Sequence, residues 1–154
     1  NAEYQHMGTT LVCAVARSDM AIIGNIGDSR AYHITPEGIF QISRDHSVVE
    51  NIVAKGDLTP LEARTHPNRN LITRALGPDI HAKADTFELP WHKDEFLLLC
   101  SDGLVNTVSD QEMLFEVLHD GDVNECLDHL LQISLQRGAP DNITAVLLLN
   151  EEGR

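Results

Sequence analysis

The amino-acid sequence predicts an α+β fold, with helices packed on a largely antiparallel sheet. Three features predict it. Short apolar runs of strand length fill the first third and return near residues 95 and 145. Hairpin-like turn signals separate the early runs. Helical periodicity with capping signals occupies the middle and the last third.

Along the chain, "GTTLVCAVA" (8–16) and "MAIIGNI" (20–26) are two apolar runs joined by "RSD". "GDS" (27–29) is a turn, "RAYHI" follows, and "TPEG" (35–38) places Pro36 and Gly38 as a tight turn requires. With "IFQI" on the far side, this reads as an antiparallel meander of four short strands. "SVVE" (47–50) has a capping-box pattern opening a short helix that ends at Gly56. "TPLE" (59–62) repeats the pattern more strongly, since Thr59 can cap, Pro60 suits the first helical position and Glu62 can reach back. That helix must end by His66, because Pro67 follows. "NRNLITRALG" closes the segment at Gly77, and the whole reads as a weakly apolar inserted subdomain over the sheet edge.

Strand character resumes in "KADTFEL" (83–89), which alternates, and "EFLLLCS" (95–101), which is apolar throughout. "SDQE" (109–112) is another capping box, starting a helix that runs to Gly121. Asp122 opens a longer helix, whose Leu127, Leu130, Leu131 and Leu135 have the spacing of one buried face. It stops at Gly138, with Pro140 just beyond, and "NITAVLLL" (142–149) is a final buried strand.

The 154 residues suit one domain with a real core. Lys and Arg total 11 against 24 Asp and Glu, a formal charge of -13. Such a surface argues against nucleic acid and anionic membrane as main partners. Cys13, Cys100 and Cys126 form no CxxC pair and are odd in number, so they read as reduced, buried thiols of a cytoplasmic protein. No apolar run approaches the roughly 20 residues of a membrane-spanning helix. The abrupt start, with no initiator Met, leads us to expect part of something longer.

Four carboxylates sit beside turns at strand edges: Asp28, Asp45, Asp102 and Asp141. Each can be a simple turn residue, since an Asp side chain bonds nearby backbone N–H groups. Asp102 ends one strongly apolar run and Asp141 begins another, however. If those strands are antiparallel neighbours, the two carboxylates meet, and they repel unless a cation or a proton is shared. Hard divalent ions want such oxygen ligands. His46 follows Asp45 and could orient it by a hydrogen bond. The eight histidines show no HExxH or HxH spacing for zinc. Ser29 and Ser101 lack a GxSxG context, Cys100 lies in an apolar run, and "GNIG" is not a phosphate loop.

In order, "MGTTLV" (7–12), "GNIGDSRAY" (24–32), "ISRDHS" (42–47), "ITRALG" (72–77), "LLLCSDGL" (97–104) and "GAPDNITAVLL" (138–148) resemble the blocks of the metal-dependent serine/threonine protein phosphatases, the type 2C class. Residues 47–77 resemble the flap subdomain of the bacterial housekeeping members. The resemblance implies an antiparallel β-sandwich flanked by helices in α-β-β-α layers, incomplete here. It implies hydrolysis of phosphoserine or phosphothreonine in proteins by a water activated at a binuclear Mn²⁺ or Mg²⁺ centre, with a third ion in some members. Asp102 and Asp141 match core metal aspartates, and Asp45 matches a ligand for the third metal, sharing it with Asp102. Asp28, Ser29, His46, Ser101, Gly103 and Asn142 match supporting positions.

The family's N-terminal blocks, with further metal ligands and a phosphate-gripping Arg, have no match in this sequence. Residues 1–154 are therefore expected to be the C-terminal portion of one phosphatase domain, inactive or weakly active alone, with no catalytic residue of its own. The expected partners are phosphoprotein substrates and a cognate serine/threonine kinase, with self-association through exposed strands. The alternative is a non-catalytic binding or regulatory module with a degenerate phosphatase fold.

Overall fold

In the computed structural model, which describes residues 7–78, 81–119 and 122–152, seven strands form two antiparallel sheets. β1 (Leu11–Ala16), β2 (Met20–Ile26) and β5 (Asp85–Pro90) make a three-stranded sheet in the order β1-β2-β5. β3 (Arg30–Thr35), β4 (Gly38–Gln41), β6 (Phe96–Cys100) and β7 (Ala145–Leu149) make a four-stranded sheet in the order β4-β3-β6-β7.

The expected four-strand meander is therefore corrected: β1–β2 and β3–β4 are hairpins of different sheets. The chain changes sheet at Gly27–Ser29, where Gly27 takes φ 105°. A side chain at Gly27 would collide with Thr10 Cγ2, so the turn needs glycine twice over.

The two sheets face each other across Ala21, Ile23, Ala31, Leu89 and Leu97. On its other face the four-stranded sheet carries Tyr32, Ile34, Leu98 and Cys100, packed against Met113, Val117, Cys126 and Leu130 of two helices, α4 (Asp110–His119) and α5 (Val123–Gln136). Both faces of β6 are thus covered, which is why "FLLLC" shows no polar alternation. The outer face of the three-stranded sheet is open, exposing Leu11, Cys13, Val15 and Ile22. Cys13 is accordingly an exposed thiol, against the expectation that all three are buried. Strand alternation puts residues 11, 13 and 15 on that outer side.

Local signals account for most helix ends. Thr59 and Glu62 close a full capping box on α2 (Pro60–Thr65). Ser109 and Glu112 do the same ahead of α4. Ser47 caps α1 (Val48–Ala54), but Glu50 turns to Arg44 at 3.2 Å, so that box is half made. Asp122 caps α5. The predicted stop at Gly121 lies outside the described residues, and β7 starts at Ala145 rather than at residue 142. One element was missed: α3 (Asp102–Val105), a single turn after β6 that lacks any side-chain cap. Four residues carry too little periodicity to be seen in a sequence.

Leu98 is fully buried between β6 and the helices. Leu98→Ala is expected to cost about 2–5 kcal/mol in urea denaturation. Thr59→Ala, at an exposed helix cap, should cost only about 1 kcal/mol.

Candidate functional site

Three strands end together. Arg30 pairs with Cys100, and Cys100 with Ala145, so β3, β6 and β7 reach the same sheet end in register. Beyond it, Ser101 N–H donates to Thr144 C=O at 2.9 Å, while Thr144 N–H donates to Ser101 Oγ at 3.0 Å. Ser101 Oγ also reaches Asn142 C=O at 3.3 Å. Ser101 is thus used as a clip between the β6 and β7 ends. Gly103 follows because any Cβ there would collide with the Asn142 carbonyl oxygen. The clip brings the Asp102 and Asp141 loops together, and Asn142 N–H donates to Asp141 Oδ1 at 2.7 Å.

The carboxyl groups behave as a crowd. Burial, and next the charge of Asp141, raise the pKa of Asp102. Burial and then Asp102 push Asp28 up to about 6. Asp102 is the middle member, coupled to Asp141 and Asp45 and in turn felt by Asp28. Among the described residues no group of three or more His, Cys, Asp or Glu side chains has the arrangement of a complete metal site. What the end of the sheet offers is a carboxylate pair with a third carboxylate in electrostatic reach.

Asp45, the expected ligand for a third metal, is paired with an arginine. Both its oxygens are held by the Arg30 guanidinium, from Nε at 3.0 Å to each and from Nη2 at 2.7 Å to Oδ2. Gln41 Nε2 adds a donor to Oδ1 at 3.0 Å. Burial works to lower the Arg30 pKa, but the hydrogen bonds and charges of Asp45 and Tyr32 together outweigh it and raise it. Arg30 also donates to Tyr32 Oη at 3.0 Å, two residues on along the same face of β3. Arg30, Gln41 and Asp85 (below) were missed as supporting residues. Only the common face of Arg30 and Tyr32 is a sequence signal, because the Arg30–Asp45 contact joins separate segments.

His46 does not orient Asp45. Its Nδ1 accepts from Gly27 N–H at 3.0 Å, which assigns the ring proton to Nε2, facing Asp85 Oδ2 at 3.0 Å. Arg74 Nη1 donates to Asp85 Oδ1 at 2.7 Å. The hydrogen bonds from His46, then Arg74, hold the Asp85 carboxyl below its usual range. Ser29 Oγ bonds Thr10 Oγ1 at 2.8 Å, from the other side of the turn. Cys100, at the end of β6, has its thiol pushed up to about 12 by burial, so it is no nucleophile.

Beside this end lies an open cavity of about 770 Å³, between the 47–65 helices and the turn after α3. Arg30, Arg44, Val53, Ala63, Arg69 and Asn106 are among its lining.

A family model described as protein phosphatase 2C matches residues 1–147. The serine/threonine phosphatase stp of Listeria monocytogenes is 36% identical over 151 residues, covering 96% of this chain and 60% of that protein. The crystal structure of the serine/threonine phosphatase Stp1 from Staphylococcus aureus superposes with a TM-score of 0.92 at 43% identity, over 97% of this chain and 59% of that one. The catalytic domain of the phosphatase PstP, solved in complex with two manganese ions, gives 0.82 at 34% identity, over 93% of this chain and 59% of that one. The chain belongs to the protein phosphatase 2C family. It spans about three fifths of the length of these relatives.

Asp28 carries a pH signature. Its folded pKa lies above the ordinary carboxylate value, so the ionised group opposes folding at neutral pH, and that cost fades as pH falls from about 6 through 3.8. Metal-free Asp28→Asn should therefore melt above the parent chain at pH 7.5. The gain should vanish as pH falls through that window, as read by circular dichroism melts.

Proposed function

We propose that this chain is part of a metal-dependent phosphatase that removes phosphate from phosphoserine and phosphothreonine in proteins. The observation that carries the reading is the convergence of Asp102 and Asp141 at one sheet end, with Asp28 coupled to Asp102. Carboxylates crowded enough that Asp141 raises the pKa of Asp102, and Asp102 that of Asp28, are relieved by a divalent cation, and an all-oxygen donor set suits Mn²⁺ or Mg²⁺. Asp102 and Asp141 would hold a core ion. Asp28, rather than Asp45, would share Asp102 for a further one, since the Asp45 oxygens already serve Arg30. Such an ion supplies charge for the phosphoryl oxygens and lowers the pKa of a coordinated water.

The chain's own residues set the geometry for this. Ser101 and Gly103 fix the separation of the Asp102 and Asp141 loops. Arg30, held by Asp45 and Tyr32, keeps the start of β3 in place next to Asp28. The substrates are phosphoproteins, made by a serine/threonine kinase that is its counterpart. The free thiols Cys13 and Cys100 agree with a cytoplasmic setting, and no helix among the described residues is long and apolar enough to cross a membrane. Edge strands β1 and β7 expose Val15 and Val146, which supports self-association, and a strict monomer in light scattering would rule that out.

The decisive assay is Mn²⁺-dependent phosphate release from a phosphoserine peptide by the longest polypeptide that contains this chain. Asp102→Asn and Asp141→Asn should each lower kcat/KM by about 10²-fold or more, the several kcal/mol a metal supplies. Unchanged rates in both variants would defeat the assignment. The 154-residue chain alone should hydrolyse p-nitrophenyl phosphate weakly or not at all with Mn²⁺. A second reading, a non-catalytic module, is favoured by the lack of a complete three-ligand group among the described residues. It predicts no Mn²⁺-dependent turnover in the longer polypeptide either.

A further inference from the structure

The turn that carries Asp28 is gripped from two sides. On one side Thr10 fills the space where a Gly27 side chain would stand and bonds Ser29 through its hydroxyl. On the other, His46 makes a two-point contact: its backbone N–H donates to Gly27 C=O at 2.8 Å, and its ring Nδ1 accepts from Gly27 N–H at 3.0 Å. The ring is 7% exposed, so water competes poorly for either nitrogen.

An imidazole can accept at Nδ1 in this way only if its proton stays on Nε2. Asp85 Oδ2, 3.0 Å away, holds it there, and Arg74 Nη1 lies 3.0 Å from the same nitrogen. Asp85 is held in turn by Arg74 from the 66–77 segment. That segment runs alongside the histidine itself, with Thr73 N–H donating to His46 C=O at 2.7 Å and Val48 N–H to Leu71 C=O at 2.9 Å. Arg74 Nη1 further donates to Lys83 C=O at 2.9 Å, tying the segment to the approach to β5.

We propose that His46 is a positioning residue, a latch through which Arg74 and Asp85 fix the Gly27–Ser29 turn and so the place of Asp28. A displacement of the 66–77 segment that withdraws Arg74 frees Asp85, releases the Nε2 proton from its fixed acceptor and loosens the bond to Gly27. The segment thereby acts on the carboxylate cluster without touching it. The effect on cation affinity rests on the metal reading proposed above; the effect on the Gly27 amide does not.

The test uses the 154-residue chain and two readouts, hydrogen exchange of the Gly27 amide by NMR and Mn²⁺ affinity by titration calorimetry. Arg74 is partly exposed, so Arg74→Ala should fold. It should speed Gly27 exchange about five- to tenfold, the worth of one hydrogen bond, while leaving the Leu98 amide unchanged. It should weaken Mn²⁺ about tenfold, as loss of outer support to a metal site does. Two isosteres separate the two ends of the ring. His46→Asn keeps an acceptor where Nδ1 stood but gives up the tie to Asp85, so its Gly27 exchange should match that of Arg74→Ala. His46→Gln keeps a donor toward Asp85 and should speed it further. Parent-like Gly27 exchange in Arg74→Ala, or equal exchange in the Asn and Gln variants, would overturn the latch. If the parent chain binds no Mn²⁺, the cation reading fails, and Gly27 exchange still decides the latch.

Discussion

The register that pairs Arg30 with Cys100 and Cys100 with Ala145 is the constraint on which the rest of the structure depends. It ends three strands at one level and sets the loops of residues 28, 102 and 141 side by side. A slip of one residue in β3 would turn Tyr32 and Ile34 toward the other sheet and Ala31 toward the helices, mispacking two cores at once. The burial of Ile34 alone, worth about 1.5–3 kcal/mol, therefore helps hold the carboxylates together indirectly. The apolar interior supplies the energy that an unfavourable cluster of like charges consumes.

Ionic groups at that end divide into two kinds. Arg30 and Asp45 satisfy each other almost completely, with Gln41 and Tyr32 taking up the remaining polar atoms. Such a pair is rigid and leaves little for a ligand. Among the described residues no guanidinium grips Asp28, Asp102 or Asp141 in this way, and burial with repulsion from neighbouring carboxylates raises the pKa of the first two. The same residue type thus serves as scaffold in one place and stands without a guanidinium partner in another. The difference is the presence of a guanidinium, not the local sequence.

The 47–77 segment is tied in more closely than a weakly apolar insertion suggests. It bridges to the N-terminal strand region through Thr9 and Leu76, and Thr73 N–H donates to His46 C=O at 2.7 Å. Its helices contribute few buried side chains, Val49 being the one from α1. Hydrogen bonds rather than apolar area hold it, so its links are specific and individually weak. A segment attached in that way can shift without unfolding the sandwich.

The sequence by itself determined the class of the fold, because periodicity, capping boxes at Thr59 and Ser109 and turn glycines are local and repeat known geometry. It also singled out Asp102 and Asp141 as candidates, since a carboxylate at the tip of a fully apolar strand needs a reason. Only the tertiary structure decided what separates Asp45 from Asp28, since that depends on an arginine 15 residues away from Asp45. It likewise decided that the first four strands divide between two sheets, a choice made at one glycine turn packed against Thr10. And it decided the partners of His46, which come from residues 27, 74 and 85. Contacts of that kind leave no periodic trace, because they join side chains whose neighbours in sequence belong to different elements.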